Sequence, residues 1–159
     1  MYSMINLNNK EIKEIHSKLE DQFEVKNLKL DYLFYKNKDN KIFLITKNLL
    51  NIDLTWFRVN SFGLYFGKIE NSGFRLSISG TQLIGNKAGK NIFETDKKEE
   101  WLNGQDLECD KNSKGWVLIK SDNDFLGCGY CKNGRVMNFI PKSKPFEKSL
   151  KGKNIEKAN

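Results

Sequence analysis

The stretch GWVLIKSDNDFLGCGYCKNGRVMNFI, residues 115–140, alternates apolar runs with polar turns. The apolar runs lie at 116–120, 125–131 and 135–140, and the turns lie at 121–124 and 132–134. Runs of this length are typical of β-strands, and an Asn-Gly pair between them is typical of a tight hairpin turn. Pro141 ends the last run, because proline cannot donate a hydrogen bond to a strand ladder. Short strands with closely spaced turns predict a small β-barrel or sandwich.

The N-terminal half is predicted to combine helices with hairpin strands. Apolar residues recur at helical spacing within 7–23, and Asn8 with Glu11 fits an N-cap and its capping-box partner. Two strand-like runs at 30–36 and 41–46 predict a hairpin, because a turn-rich quartet separates them. Further predicted elements are strands at 56–59, 62–69 and 74–79, a short helix at 81–88, the start of a strand at 92–93 and a helix at 97–102.

Length and composition limit the class of protein. The chain has 159 residues, which as a prior corresponds to one domain or to two small domains with a continuous core. Hydrophobic residues make up 38% and aromatic residues 12% of the chain, enough to argue against disorder. No apolar run approaches the roughly 20 residues that cross a bilayer, and the charged N-terminus lacks a signal-peptide core. We therefore expect a soluble intracellular protein without a membrane partner.

The cysteines invite a zinc interpretation. Cys128 and Cys131 have the spacing of metal ligands, and Cys109 adds a third thiol. The fourth ligand is missing, since His16 is the one histidine and lies far away on the N-terminal helix. A strand would also place Cys128 and Cys131 on opposite faces. We expect ordinary core or turn cysteines, with no metal and no cofactor.

Motifs for nucleotide binding and catalysis are incomplete. Gly127-x-Gly129 lacks the helix that must follow in a dinucleotide fingerprint, and 85–90 is one residue short of a phosphate loop. One histidine leaves little for a Ser-His-Asp site, and the aspartates are scattered over separate elements. These observations predict that the protein is not an enzyme. Close packing in the core and close approach of a strand or an RNA backbone remain equal explanations for the two glycines.

The net charge is concentrated at the C-terminus. Residues 132–159 hold eight basic and two acidic residues, a net charge of +6, whereas 1–131 carries +1. Basic residues there form a strip flanked by aromatic rings, which suits phosphates and unpaired bases of RNA. A solvated basic tail is the alternative. The predicted RNA-binding residues are Lys132, Arg135, Lys142, Lys144, Lys148 and Tyr130, while Phe139 is expected to face the core.

The order of the motifs carries a family resemblance. A capped helix and a hairpin precede the runs Phe62-Gly-Leu-Tyr-Phe-Gly-Lys68 and Gly73-Phe-Arg-Leu-Ser-Ile78. Three further motifs follow, at 101–104, 115–119 and 125–129. Over roughly residues 7–144 the chain resembles the Nip-seven family of ribosome-biogenesis proteins. Its second half is also similar to the PUA-like tail of Sun-type RNA cytosine-C5 methyltransferases, which shares a Gly-Trp-Val strand and a Gly-x-Gly strand.

The resemblance implies an α+β fold, with a small N-terminal α/β domain packed on a C-terminal PUA-like β pseudo-barrel. We expect the first domain at 1–89, the PUA-like RNA-binding domain at 90–147 and a basic tail at 148–159. The connector near 88–92 is too short and too poor in Gly, Ser and Pro for a free linker, so the halves are expected to pack as one rigid body. The lysine-rich stretch from Lys148 has no counterpart in the family.

The resemblance further implies a non-catalytic RNA-binding protein of ribosome biogenesis, bound to large-subunit precursor rRNA through residues such as Lys132, Arg135 and Lys142. The expected location is the cytoplasm in an archaeal-type cell or the nucleolus in a eukaryote. Other ribosome-assembly or RNA-modification proteins are possible partners. The alternative is an RNA-binding accessory subunit, or a detached PUA tail, of an RNA-modification enzyme such as an rRNA or tRNA methyltransferase.

Overall fold

The computed structural model describes residues 4–48 and 63–141. The first half contains β1 (Ile5–Asn6), α1 (Asn9–Phe23), β2 (Tyr32–Lys36), β3 (Lys41–Thr46), β4 (Leu64–Glu70), β5 (Gly73–Leu76) and α2 (Ile78–Ile84). A 3₁₀ turn (Gly85–Lys87) leads to β6 (Ile92–Glu94), α3 (Lys98–Leu102), β7 (Leu107–Glu108), β8 (Gly115–Ser121), β9 (Asp124–Lys132) and β10 (Arg135–Asn138). The predicted strand at 56–59 and the predicted tail at 148–159 lie outside the described residues.

The first half is an antiparallel sheet with one long helix. Its strands follow the order β1-β2-β3-β4-β5. Helix α1 begins at the predicted capping box: the Asn8 side chain accepts from the Glu11 N–H at 3.0 Å, and the Glu11 carboxylate accepts from the Asn8 N–H at 2.9 Å. It ends where Glu24 adopts a left-handed conformation with φ 54°. The predicted helix and the predicted hairpin of β2 and β3 are therefore confirmed.

The second half is a curled sheet that forms a half-barrel, in the order β6-β8-β9-β10-β7. Strand β6 runs parallel to β8, and the other neighbours are antiparallel. Helix α3 covers one side through Trp101, whose side chain is fully buried and whose indole N–H donates to the Leu126 carbonyl at 2.7 Å. The α+β class and the C-terminal β half-barrel expected from the sequence are thus confirmed.

The two halves share one hydrophobic core. Phe34, Phe66 and Phe74 from the first half cluster with Trp116 and Phe125 from the second, and all five are buried. Burial of one such side chain contributes about 1.5–3 kcal/mol, so separation of the halves would forfeit several of these contributions. The short connector near 88–92 led us to expect this packing. A smaller second core lies under α3 within the half-barrel.

The boundary between β5 and α2 differs from the prediction. The sequence predicts a strand over 74–79 and a helix over 81–88, but the strand ends at Leu76 and the helix begins at Ile78. The Ser77 hydroxyl accepts the Gly80 N–H at 2.9 Å and caps the helix there. Phe74, Leu76 and Ile78 continue a strand-like alternation across the boundary, which is why the prediction was wrong.

Strand β9 contains Gly127 and Gly129, and the structure requires each of them for a different reason. Leu118 pairs with Cys128 and Lys120 with Phe125, so β9 carries one extra residue in a β-bulge. Gly127 lies in this bulge with φ 102°, a conformation that favours glycine. At Gly129 an added Cβ would lie 2.4 Å from Val136 Cγ1 and 2.9 Å from Trp101 Cη2. Core packing therefore accounts for Gly129.

Candidate nucleic-acid interface

Three of the predicted RNA-binding residues lie on the hairpin of β9 and β10. Lys132 pairs directly with Arg135, and Tyr130 pairs with Met137 two positions further from the turn. The turn residues Asn133 and Gly134 have φ values of 54° and 80°, which is the geometry of a type I′ hairpin turn. Directly paired residues project from the same face of a sheet, as do residues two apart. Lys132, Arg135 and Tyr130 therefore share one face of this hairpin.

Acidic residues partly balance the charge of this hairpin. The Arg135 side chain is 72% exposed, and its guanidinium lies 3.9 Å from the Asp106 carboxylate. Arg135 also pairs with Glu108 on β7, a two-residue strand that was not predicted from the sequence. An exposed ion pair of this length contributes little to stability, so a phosphate can compete for the guanidinium. Lys111, which was not predicted from the sequence, also lies beside the hairpin turn. Its Cγ would be 3.3 Å from a Cβ added at Gly134.

Tyr130 is half-buried and lines a groove between the two domains. Its ring packs edge-on against Trp116, with centroids 5.0 Å apart and planes at 75°. The Trp116 indole N–H donates to the Ser72 hydroxyl at 3.1 Å and so ties the half-barrel to the β4–β5 turn. This part of the groove has a volume of about 280 Å³ and is lined by Glu70, Asn71, Ser72, Trp116, Tyr130, Met137 and Phe139.

Phe139 does not face the core, and that prediction was wrong. The residue is 38% exposed, and the Arg75 guanidinium lies over its ring at 4.6 Å from the centroid. Its ring centroid is 5.3 Å from that of Trp116. Val136 is fully buried and Met137 is partly exposed, so strand alternation places residue 139 on the outer face. Both faces of β10 carry apolar residues, and the sequence pattern could not tell which one is covered.

Cys128 lies apart from Cys109 and Cys131, so the three cysteines do not converge on one site. Cys128 belongs to the core shared by the two halves, whereas Cys131 belongs to the core of the half-barrel. Burial raises the pKa of Cys128 to about 12. Burial, with a hydrogen bond to the Cys109 thiol, raises the pKa of Cys131 to about 12. Both thiols are therefore protonated at neutral pH, a form that does not attack as a nucleophile.

The described residues contain neither a cluster of metal-ligating side chains nor a helix that could cross a membrane. Within 4–48 and 63–141, no three His, Cys, Asp or Glu side chains come together in an arrangement that could hold a metal ion. Of the helices in the same two segments, none is both long and apolar enough to span a membrane. Lys142, Lys144 and Lys148 lie outside the described residues, so their part in an RNA site stays a prediction.

Comparison with known families identifies the two domains. Residues 4–78 match the family described as "NIP7/UPF0113, pre-PUA domain", and residues 90–143 match the "Methyltransferase RsmF PUA domain". The chain thus has the layout of a NIP7-type pre-PUA domain followed by a PUA domain, as its motif order indicates. Both domains are of an RNA-binding rather than a catalytic type, and together they indicate a function of the ribosome-biogenesis kind.

Individual relatives are similar to the chain at low identity. A protein of Vibrio vulnificus (strain YJ016), "Ribosomal RNA small subunit methyltransferase F", is 24% identical over 115 residues. Its namesake in Vibrio cholerae serotype O1 (strain M66-2) is 28% identical over 116 residues. Each match covers 71% of this chain and 24% of the relative. The chain therefore spans about a quarter of the length of these curated relatives.

Proposed function

We propose that the protein is a non-catalytic RNA-binding factor of ribosome biogenesis that binds large-subunit precursor rRNA through its PUA domain. The observation that carries this proposal is the NIP7-type pre-PUA domain joined to a PUA domain over one shared core. We place the domain boundary near residue 89, with the PUA domain at 90–147. Action on precursor rRNA would place the protein in the cytoplasm, or in the nucleolus of a eukaryote, beside other assembly factors.

The binding surface in this proposal is the basic strip that starts at the β9–β10 hairpin. Lys132 and Arg135 are exposed on one face, and Lys142, Lys144 and Lys148 follow along the chain. Lysine and arginine neutralise phosphates and release counterions, which supplies affinity without sequence preference. RNA recognition then depends on shape and on a few unpaired bases. Tyr130, which lines the groove, adds an aromatic ring for such a base.

The test is crosslinking of the protein to RNA in cells, followed by sequencing of the bound fragments. We expect enrichment of large-subunit precursor sequences over mature rRNA and messenger RNA. A charge-reversed variant, Lys132→Glu with Arg135→Glu, serves as the matched control and is expected to lose that enrichment. No enrichment of any ribosomal RNA with the wild-type protein would refute the proposal.

The alternative is an RNA-binding accessory part of an RNA-modification enzyme. It is supported by the likeness to proteins named ribosomal RNA small subunit methyltransferase F, of which this chain spans about a quarter. In that case a pull-down from native cells would recover a methyltransferase in stoichiometric amount. The isolated chain would then bind RNA weakly, and the crosslinked fragments would come from small-subunit rRNA.

A further inference from the structure

The groove between the domains continues on the other side of Phe139. A second hollow of about 310 Å³ adjoins the one beside Tyr130, and Phe139 lines both. Tyr65, Arg75 and Ser77 line it from the first domain, and Gly127 and Phe139 line it from the second. We call the two hollows together the junction groove. Because its walls come from both domains, it exists only where they pack.

A row of cations runs up to this groove on the outer face of the first sheet. Lys41 on β3 pairs with Lys68 on β4, and Lys68 pairs with Arg75 on β5. Like charges directly opposite one another destabilise a sheet. Glu70 lies 3.2 Å from the Arg75 guanidinium and is the acid that pairs with this row within the described segments. Lys41, Lys68 and Arg75, the basic row, therefore keep an excess of positive charge.

Aromatic rings accompany these cations. The Lys41 ammonium lies 5.7 Å from the centroid of the Tyr65 ring, and the Arg75 guanidinium lies 4.6 Å from that of Phe139. Burial raises the pKa of the Tyr65 hydroxyl, while the Arg75 charge and hydrogen bond act in the opposite direction. The Arg75 side chain is only 18% exposed. Its position is fixed by an ion pair, a ring and a hydroxyl, which pre-organises it for a ligand.

We propose that the junction groove binds one unpaired nucleotide of the RNA, with its base against Phe139 and its phosphates on the basic row. This inference rests on the proposed RNA-binding function and adds a second contact to it. A hollow of this size is at the lower end of the roughly 300–1,000 Å³ seen for small-ligand sites, which suits a nucleotide and not a duplex. An aromatic ring in a cationic groove is the usual arrangement for single-stranded nucleic acid.

The groove also connects to the predicted RNA surface. Tyr130 and Met137 form one cross-strand pair and line the groove, and Lys132 and Arg135 form the next pair on the same face. An RNA backbone held by the hairpin can therefore reach Phe139 along this face. The basic row lies beyond Phe139, on the first domain. A strand that leaves a duplex at the hairpin would follow this path.

The test compares an unstructured RNA octamer that contains 2-aminopurine with a blunt RNA duplex of the same charge, both bound to the full chain. Phe139→Ala should weaken octamer binding about 5- to 150-fold, which corresponds to the loss of one base-aromatic stack. It should also abolish the change in 2-aminopurine emission that accompanies binding. Phe139→Tyr should restore both, and Phe139→Leu, which keeps an apolar contact with Trp116, should not. Leu102→Ala, at a similarly exposed apolar residue on α3, is the matched control and should change neither.

Lys68→Ala tests the basic row separately. It should reduce the slope of log K against log salt concentration for octamer binding by about 0.7 for each phosphate that the side chain neutralises. Because it removes like-charge repulsion, its melting temperature should equal or exceed that of the wild type. Lys13→Ala, at an exposed lysine on α1, is the matched control and should leave the slope unchanged.

The outcomes separate this inference from the proposed function. If the wild-type protein binds neither octamer nor duplex, the proposed function fails, and this inference fails with it. If it binds both and Phe139→Ala leaves octamer affinity and emission unchanged, the groove inference alone is refuted. A poly-glutamate peptide that binds more tightly than the octamer, and depends on Lys68 but not on Phe139, would assign the groove to a protein partner instead.

Discussion

Thr81 on α2 provides a test of the interface that holds the two domains together. Its side chain is 0% exposed, and its hydroxyl accepts the Gly127 N–H at 3.0 Å and donates to the Ile78 carbonyl at 2.7 Å. Gly127 lies in the β9 bulge, where its N–H is turned towards α2 and away from the strand ladder. Thr81→Val replaces the hydroxyl with a methyl group of similar size, so it removes the hydrogen bond with little change in packing.

The magnitude follows from the burial of the amide. A buried donor that loses its partner costs about 1–3 kcal/mol of the free energy of unfolding. For a chain of about 150–250 residues each kcal/mol lowers the melting temperature by about 2–4 °C, so we expect a decrease of about 2–12 °C. Thr81→Ser keeps the hydroxyl and removes one methyl group, which costs about 1 kcal/mol. The two variants therefore separate the hydrogen bond from the packing.

The assay combines chemical denaturation with amide hydrogen exchange. Circular dichroism, which reports mainly α1, and tryptophan fluorescence, to which Trp101 and Trp116 contribute, should follow one coincident transition, because the two halves share a core. Exchange of the Gly127 amide should accelerate in Thr81→Val and stay slow in Thr81→Ser. Unchanged Gly127 exchange with wild-type stability in Thr81→Val would refute this account of the interface. Relaxation data that showed the halves tumbling independently would refute the rigid packing itself.

Three further predictions concern RNA binding, metal and pH. Arg135→Ala with Lys142→Ala should weaken RNA binding across sequences and reduce the slope of log K against log salt concentration by about one unit per lost contact, with an unchanged melting curve. An equal decrease from Lys10→Ala with Lys13→Ala would indicate diffuse attraction instead. The purified protein should contain no stoichiometric zinc, and a chelator should not change its melting temperature; one zinc per chain by atomic absorption would contradict our view of the cysteines. Burial lowers the pKa of His16 below 6.5, so the unfolded chain takes up its proton first and stability should fall as the pH drops below that value towards the folded-state pKa. The melting temperature of His16→Gln should therefore decrease less between pH 7.5 and 5.5 than that of the wild type, and an equal decrease would exclude His16 as the cause.

Local signals were sufficient to predict α1 and the hairpins. The capping box of Asn8 and Glu11 and the recurrence of Ile15, Leu19 and Phe23 are short-range patterns, and the structure has the helix where they indicate it. Sequence patterns did not give the correct prediction where an element is short or has apolar residues on both faces. Strand β7 has only two residues, and Met137 on the outer face of β10 is followed on the same side by Phe139, just after the strand.

Only part of the candidate site could be predicted from the sequence. The charge of Lys132 and Arg135 could be counted from the sequence. The acids beside Arg135 could not be assigned, because Asp106 and Glu108 come from an earlier segment of the chain. The pairing of Lys68 with Arg75 could have been predicted, because the two-residue turn after Glu70 sets the register of the β4–β5 hairpin. The place of Phe139 beside Arg75 could not, since it depends on how two domains pack.

This dependence gives the domain interface a role in binding as well as in stability. Phe139 belongs to the PUA domain and Arg75 to the pre-PUA domain, and their contact at 4.6 Å exists only while the domains are packed. The hairpin with Lys132 and Arg135 lies within the PUA domain alone. The basic row and one wall of the groove, in contrast, belong to the pre-PUA domain. If the groove holds an unpaired nucleotide, the pre-PUA domain supplies part of the RNA site as well as support for it.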